Sequence, residues 1–397
     1  MAKWAGIGCA HHGNEDKQGK RMKINVYAAD LGGCGRYRLI HAAMVLKEQG
    51  HDIKVFDPNK PMDIAVNVDF ATGEVLEVSE PDADILVMQR VTSAPHVQAM
   101  TMLRKKGYTV VLDLDDDMTR IHPGNAAFRE LDPTRKRRMS WMNTSLAAQE
   151  ATLVTVSTKA LASVYGSHGR VQVVDNYIPA RYLELAHTDN PTYGWPGSTE
   201  SHPNDLPVVG NAARKLEEMG FPFYQVGPNQ PMVDKQLGFT RHLATGPIKL
   251  SLWPASISLL GVAWAPLADT LFNASKSRLK ILEANSVGVP YVASPRAEYV
   301  RMSADGGAGM LADTPKEWFR KTERLLTDHR LRQDLSLQAR AYAATQTIED
   351  HAWRTMDAWQ RAYHIQHKGA RILNASHIDL GAGRMVAAIP ATKEETV

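Results

Sequence analysis

Residues 261–294, GVAWAPLADTLFNASKSRLKILEANSVGVPYVAS, constrain the fold of this chain more than any other stretch. Gly261–Leu267 is a short apolar run that suits a parallel strand buried on both faces. Asp269–Ser277 is more polar and offers Ser275 and Ser277 as helix N-caps. Leu279, Ile281, Leu282 and Val287 fit a helix packed on a sheet. Gly288-Val289-Pro290 stops it, and Tyr291–Ser294 is the next strand. The helix therefore begins just past a strand's C-terminal end, where open α/β sheets bind ligands. Its unpaired N–H groups favour an anion, and Lys276 adds a full positive charge. Glu283 lies further in, and helical side chains lean back towards the N-terminus. One loop thus offers amides and a lysine to a diphosphate, and a carboxylate to ribose hydroxyls.

This segment resembles the donor-site signature of the GT-B glycosyltransferases, in particular their large retaining group. Those enzymes often carry two glutamates with seven residues between them, then a small-residue helix end and G-x-P. Glu283 takes the second glutamate position here, with Gly288 and Pro290 following, while Ser275 stands at the first. The form PLADTLFNASKSRLKILE resembles a divergent KS-x-x-K-x-x-E branch found in bacterial and phage-encoded members. Asn273 or Lys276 is then expected to replace the missing donor-sugar contact. The stretch Gly194-Trp195-Pro196-Gly197-Ser198…His202-Pro203-Asn204-Asp205-Leu206 resembles the G-W-x-G-S…H-x-x-D-L loop of the same branch.

The chain has 397 residues, enough for two domains with real cores. It is 44% hydrophobic, ordinary for a soluble protein, and no apolar run approaches the ~20 residues of a membrane helix. Stable membrane insertion is not expected. The first 21 residues carry no apolar core of signal-peptide length, and two cysteines, Cys9 and Cys34, make no disulfide framework. A reducing, cytoplasmic setting is the simplest reading. A net charge of +3 does not by itself argue for nucleic acid. Cys9, His11 and His12 do not supply four ligands in zinc spacing, and no metal is expected.

The expected organisation is a flexible segment 1–21, a Rossmann-like acceptor domain 22–180, a Rossmann-like donor domain 181–347, a crossing helix 348–365 and a tail 366–397. In the first domain, strands are expected at Lys23–Ala28, Asp52–Phe56, Ile85–Gln89, Thr109–Leu114, Leu153–Val156 and Val171–Val174. Helices are expected at Tyr37–Gln49, Val97–Lys106, Asp132–Glu150 and Lys159–Tyr165, with a short hairpin in 57–81. Residues 180–204 read as linker and binding loop. A helix Leu206–Met219 and strands Pro222–Val226 and Lys249–Leu252 follow. Beyond the opening segment come a strand Gly309–Leu311 and helices Pro315–Thr327, Leu331–Ala344 and Ile348–Tyr363. The class is α/β, two Rossmann-like domains facing a cleft, with a C-terminal helix crossing back to the first.

Gly32-Gly33-Cys34-Gly35-Arg36-Tyr37-Arg38 follows the first strand and opens the first helix. Glycines let a backbone turn sharply and approach a ligand. Three readings stand: a cleft loop presenting Gly33, Gly35 and Arg38, a structural turn, or an incomplete dinucleotide fingerprint. Asp113-Leu114-Asp115-Asp116-Asp117 ends a strand. It orients sugar hydroxyls, acts as base, binds a cation, or only caps a helix. Asp115 and Asp116 are the choices for contact with acceptor or transferring sugar, with Arg90 beside them or on the surface. In the 194–206 loop, Gly197, Ser198 and His202 suit phosphate, against a bland reading in which Asp205 caps a helix and His202 is an exposed loop histidine. Phe223–Pro228 ends a strand where a base would sit, so Gln225 or a backbone amide is a candidate contact. Arg135–Arg138 is a basic run that suits a solvated helix face or an acidic acceptor, lipid head group or nucleic acid.

The combined expectation is a glycosyltransferase. The donor, a nucleotide diphosphate sugar, is held by Gly197, Ser198, His202, Asp205, Asn273, Lys276, Ser277 and Glu283. Asp115, Asp116 and Lys276 carry catalysis. The resemblance implies retention at the anomeric carbon without a metal. The acceptor is open: a virion or other protein, a glycan, a lipid or DNA. A catalytically silent sugar-nucleotide-binding protein and a nucleotide-dependent oxidoreductase or epimerase are the alternatives.

Overall fold

The computed structural model describes residues 21–128, 140–185, 189–239 and 242–368. Its frame is two six-stranded parallel sheets. The first contains β1 (Lys23–Tyr27), β2 (Asp52–Phe56), β5 (Ile85–Gln89), β6 (Thr109–Leu114), β7 (Leu153–Val156) and β8 (Val171–Val173), in the order β2-β1-β5-β6-β7-β8. A hairpin of β3 (Val66–Val68) and β4 (Val75–Val78) is inserted ahead of β5, as the 57–81 segment predicts. The second contains β9 (Tyr193–Pro196), β10 (Phe223–Val226), β11 (Leu243–Ala244), β12 (Val262–Ala265), β13 (Tyr291–Ala293) and β14 (Gly309–Leu311), in the order β11-β10-β9-β12-β13-β14.

Apolar strands form because both faces are covered. In the first sheet Leu86, Val110, Leu112 and Val154 face one buried cluster, while Ile85, Val87, Val111 and Leu153 face another. The second cluster includes Ala352, Met356, Trp359 and Ala362 of the helix Ile348–Lys368, so the C-terminal helix does cross back onto the first domain. It continues three residues past the expected 365, and Gln366 and His367 still meet Thr152 and Thr109 of the first domain. The outgoing and returning chain crossings lie side by side: the Ile178 N–H donates to Gln346 O at 3.1 Å, and the Ile348 N–H donates to Ile178 O at 2.8 Å.

Three expectations in the second half are corrected. The linker 180–204 contains β9, a central strand, because Tyr193 and Trp195 bury fully against Phe223, Trp264 and the opposing helices. Leu206–Met219 is not one helix: a turn of 3₁₀ helix at Leu206–Val209 is separated from Ala212–Glu218 by Gly210 at φ 55°. Lys249–Leu252 is not a strand, and Leu250–Leu252 forms a 3₁₀ turn leading into the helix Trp253–Ile257. Helix Gln230–Leu237 is an additional element. The expected helix Asp132–Glu150 is described only from Ser140 to Glu150.

Strand order reverses between β1 and β5 in the first sheet and between β9 and β12 in the second. At such switch points neighbouring loops diverge and leave a crevice at the strands' C-terminal ends. The loops from the two crevices meet.

Candidate functional site

In the first crevice, Asp30 organises the glycine loop. Its Oδ1 accepts from the Gly32 and Gly35 N–H groups at 2.8 and 3.1 Å. A Cβ on Gly35 would lie 1.9 Å from Asp30 O, so this position requires glycine, whereas Gly33 meets nothing there. The chain enters its helix through a π-helical turn, Arg36–Ile40, which turns Tyr37 and Arg38 into buried positions.

Arg38 is therefore not a cleft residue. It is 5% exposed and binds Asp113 with two hydrogen bonds, Nη2 to Oδ1 at 2.7 Å and Nε to Oδ2 at 3.2 Å. It also donates to Val174 O and Asn176 Oδ1. Asp113 further accepts from Thr155 Oγ1 at 2.8 Å. This pair is a strut beneath the cleft, because a buried guanidinium and carboxylate must satisfy each other.

Arg90 lies beside Asp115 and Asp116. It holds Asp115 through Nε at 2.6 Å and Nη2 at 2.7 Å, touches Asp116 at 3.4 Å, and donates to Cys34 Sγ at 3.0 Å. Its φ of 50° is one of two positive values among described non-glycine residues, and such strain collects at functional sites. Burial works against the Asp115 charge, but the Arg90 guanidinium keeps its carboxyl below the ordinary value. Asp117 is buried on Thr119 and Arg120 and takes no part in the cleft. Asp116 alone turns outward, and accepts from Lys276 Nζ of the other domain at 2.7 Å.

In the second crevice, Asp205 ties the loop after β9 to the loop after β12. Its Oδ1 accepts from Ala268 N at 2.8 Å and Asn273 Nδ2 at 2.7 Å, and its Oδ2 from His202 Nδ1 at 2.7 Å. Asp205 and Asn273 are thus mutually committed, and Asp205 makes no side-chain helix cap. His202 is no exposed loop histidine: burial, then the nearby Lys280 charge, push it down to about 4, so its ring is neutral at pH 7. Gly197 and Ser198 lie at the bend, where a Cβ on Gly227 would come 2.1 Å from Gly197 O. Ser198 accepts from Glu200 N at 3.2 Å through Oγ, and from His202 N at 3.0 Å through its carbonyl.

Neither Ser275 nor Ser277 caps the helix Leu279–Ser286. Arg278 stands at its N-cap, Thr270 caps the short helix Leu271–Ala274, and Ser275 ends that helix. Ser277 Oγ accepts from Asn176 Nδ2 at 2.8 Å, another contact between domains. Glu283 is 6% exposed, and its Oε1 accepts from Tyr37 Oη at 2.5 Å. Tyr37 in turn meets Tyr182 Oη at 2.8 Å. Burial, opposed by the Tyr37 hydrogen bond, raises the Glu283 carboxyl to about 7.

Lys280 was not among the expected site residues. Its Nζ is buried, has no hydrogen-bond partner among the described residues, and sits 5.3 Å above the Trp195 ring. Burial pushes it down to about 8, with Asp205 and Glu283 pulling back and Lys276 pushing further. The signal was available: Lys280 is the second lysine of the KS-x-x-K-x-x-E pattern, four residues after Lys276.

A loop of the first domain closes over this site. Ala126 N donates to Glu200 O at 2.9 Å, Asn125 Nδ2 to Ser201 O at 3.1 Å, and the Asn204 and His122 side chains meet at 2.6 Å. Between them lies a cavity of about 20 Å³, enough for one water. Gln225, the candidate base contact, is fully buried and committed to His242 and Pro228, so its side chain faces no ligand. The Arg135–Arg138 run, Cys9, His11 and His12 lie outside the described residues. Among the described residues no group of three or more His, Cys, Asp or Glu side chains is arranged to hold a metal ion, and no helix is long and apolar enough to cross a membrane.

No protein-family profile and no curated protein matches the chain. Solved structures do match its fold. A glycosyltransferase from Rickettsia africae ESF-5 superposes with a TM-score of 0.60 at 11% identity, over 86% of this chain and 99% of that one. HepE of Anabaena, solved in complex with UDP, gives 0.54 at 14% identity, over 86% and 100%. WaaG, a glycosyltransferase involved in lipopolysaccharide biosynthesis, gives 0.55 at 13%, over 85% and 99%. The fold is GT-B.

Proposed function

We propose that this chain is a glycosyltransferase that takes its sugar from a nucleoside diphosphate sugar bound at the β9–β12 crevice. The observation that carries the reading is Lys280, a buried ammonium that makes no hydrogen bond among the described residues, four residues from Lys276 in the loop-helix unit of that crevice. An unpaired buried cation costs several kcal/mol of stability, and a diphosphate is the ligand that would offset it. HepE, a structural neighbour, is solved with UDP and with UDP-glucose, which supports the same donor class here.

In this reading Lys276 and Lys280 hold the diphosphate together with the amides of the 197–202 loop. They also stabilise the charge that builds on it as the glycosidic bond breaks, the preorganised electrostatics that dominate many enzymes. His202, neutral and tied to Asp205, offers its other ring nitrogen as a partner without adding charge. Glu283 receives the ribose hydroxyls. Asp116, the outward carboxylate of the first domain, faces the transferring sugar or the acceptor hydroxyl, while Asp115 and Arg90 hold it in place. Retention at the anomeric carbon, independence of metal, a cytoplasmic setting, and an acceptor that is a protein, glycan, lipid or DNA in a bacterial or phage context complete the proposal.

A donor-binding protein without turnover is the second reading. It is favoured by Ser275 at the first glutamate position, where its hydroxyl turns back to Leu271 O at 3.4 Å. A thermal-shift panel of UDP, GDP, ADP, dTDP and their sugars, each with magnesium or EDTA, tests the donor. A ligand at about 100 times its dissociation constant adds ~2.7 kcal/mol. Stabilisation by one nucleoside diphosphate, unchanged by EDTA, is expected. Release of that diphosphate from its sugar over time separates enzyme from silent binder, and no shift with any member would refute both.

A further inference from the structure

Almost every group assigned above to the donor is already engaged, and the two most specific ones are engaged by the other domain. Lys276 Nζ donates to Asp116 Oδ1 at 2.7 Å, and Tyr37 Oη donates to Glu283 Oε1 at 2.5 Å. Asp116 follows β6, Tyr37 opens the first helix, and both belong to the first domain. A carboxylate on the phosphate lysine and a hydroxyl on the ribose glutamate match the two polar ends of a nucleoside diphosphate in kind: an anion for the ammonium, an O–H donor for the carboxylate. Asn176 adds a third contact of this sort on Ser277. Lys280 Nζ, by contrast, makes no hydrogen bond among the described residues.

Resting on the donor reading above, we propose that Tyr37 and Asp116 are donor-mimicking residues. They occupy the ribose and phosphate ligands of the second domain, and the donor must displace both to bind.

The exchange has a consequence for Asp116. Once a phosphate takes Lys276, the Asp116 carboxylate loses its partner across the cleft and keeps only the 3.4 Å contact to Arg90. It is thereby released towards the transferring sugar only when a donor is present. Part of the donor's binding energy then goes into breaking these contacts. Apparent affinity is the intrinsic affinity multiplied by the fraction of molecules with the site unoccupied by its own residues. Removing a mimic therefore tightens donor binding, the opposite of what removing a ligand-binding residue does.

The test is titration calorimetry of UDP, GDP, ADP and dTDP on the full chain, with wild type, Tyr37→Phe and Asp116→Asn compared. The nucleoside diphosphate that binds wild type is expected to bind each variant about three- to tenfold more tightly, the equivalent of one net hydrogen bond. For the sugar donor, Asp116→Asn lowers KM and kcat together, because its mimic role and its role in transfer are lost at once. Two variants on different strands of the argument keep the test standing if one fails to fold. If wild type binds and the folded variants bind equally or more weakly, the inference alone is overturned. If no nucleoside diphosphate binds any of the proteins, the donor reading fails, and the inference falls with it.

Discussion

The two crevices are built alike and filled differently. Each lies at a reversal of strand order, and each gathers charged side chains at the C-terminal ends of parallel strands. In the first, buried charges are paired within the domain: Arg38 with Asp113, Arg90 with Asp115. In the second, Lys280 Nζ is buried and makes no hydrogen bond among the described residues. A fold can place a charge in its interior at tolerable cost only by pairing it. Where one crevice obeys that rule and its counterpart does not, the exception is the feature on which the proposed donor site rests.

The comparison is broken most severely by Arg38→Met. It leaves Asp113 buried and uncompensated, with an expected loss of about 3–5 kcal/mol in urea or thermal unfolding. A neutral result would mean the first crevice is not a closed set of pairs. Glu283→Gln comes next and reads out as pH dependence. The folded carboxyl is raised to about 7 from an ordinary 4.5. Its contribution to wild-type stability is therefore full below pH 4.5 and lost as pH rises through 7. Relative to Glu283→Gln, wild type should lose up to about 3 kcal/mol between pH 4.5 and 8. A pH-independent difference would remove the buried acid from the account.

Lys280→Met sharpens the contrast, because it should move stability the other way. The lysine is lowered to about 8 from 10.5. Its folded state is penalised wherever it remains charged, and the penalty fades as pH rises from 8 to 10.5. At pH 7 the methionine variant should gain about 2 kcal/mol in unfolding experiments, after loss of the contact with Trp195, and the gain should shrink at pH 10. Ser277→Ala is the smallest expected effect: the Asn176 contact across the cleft is worth about 1 kcal/mol, measured by urea unfolding.

Much of this was legible in the sequence. The strand-loop-helix-strand unit at 261–294 forms as its apolar periods require, and the β1 and β6 segments carry their loops to the cleft. What was missed has physical causes. Tyr193–Pro196 reads as loop because glycine and proline flank its aromatics, yet Tyr193 and Trp195 bury fully once β10 and β12 are present. Arg38 looks like a cleft cation because nothing local shows that a π-helical turn directs it under the sheet to Asp113, 75 residues away. Lys280 stands in the KS-x-x-K-x-x-E pattern but is not singled out by it, since only tertiary packing removes its ammonium from water. Tyr37 reads only as the opening of the first helix, and its hydroxyl gains meaning only from Glu283, 246 residues away.

The central claim is that Lys280 is buried for the sake of a diphosphate. It is tested most directly by titration calorimetry of UDP, GDP, ADP and dTDP at pH 7 on wild type and Lys280→Met. One nucleoside diphosphate should bind wild type and bind Lys280→Met at least about tenfold more weakly, as expected for a lost charge-assisted contact, although the variant is the more stable protein. Equal affinity in both proteins, or no binding of any nucleoside diphosphate to wild type, would contradict it.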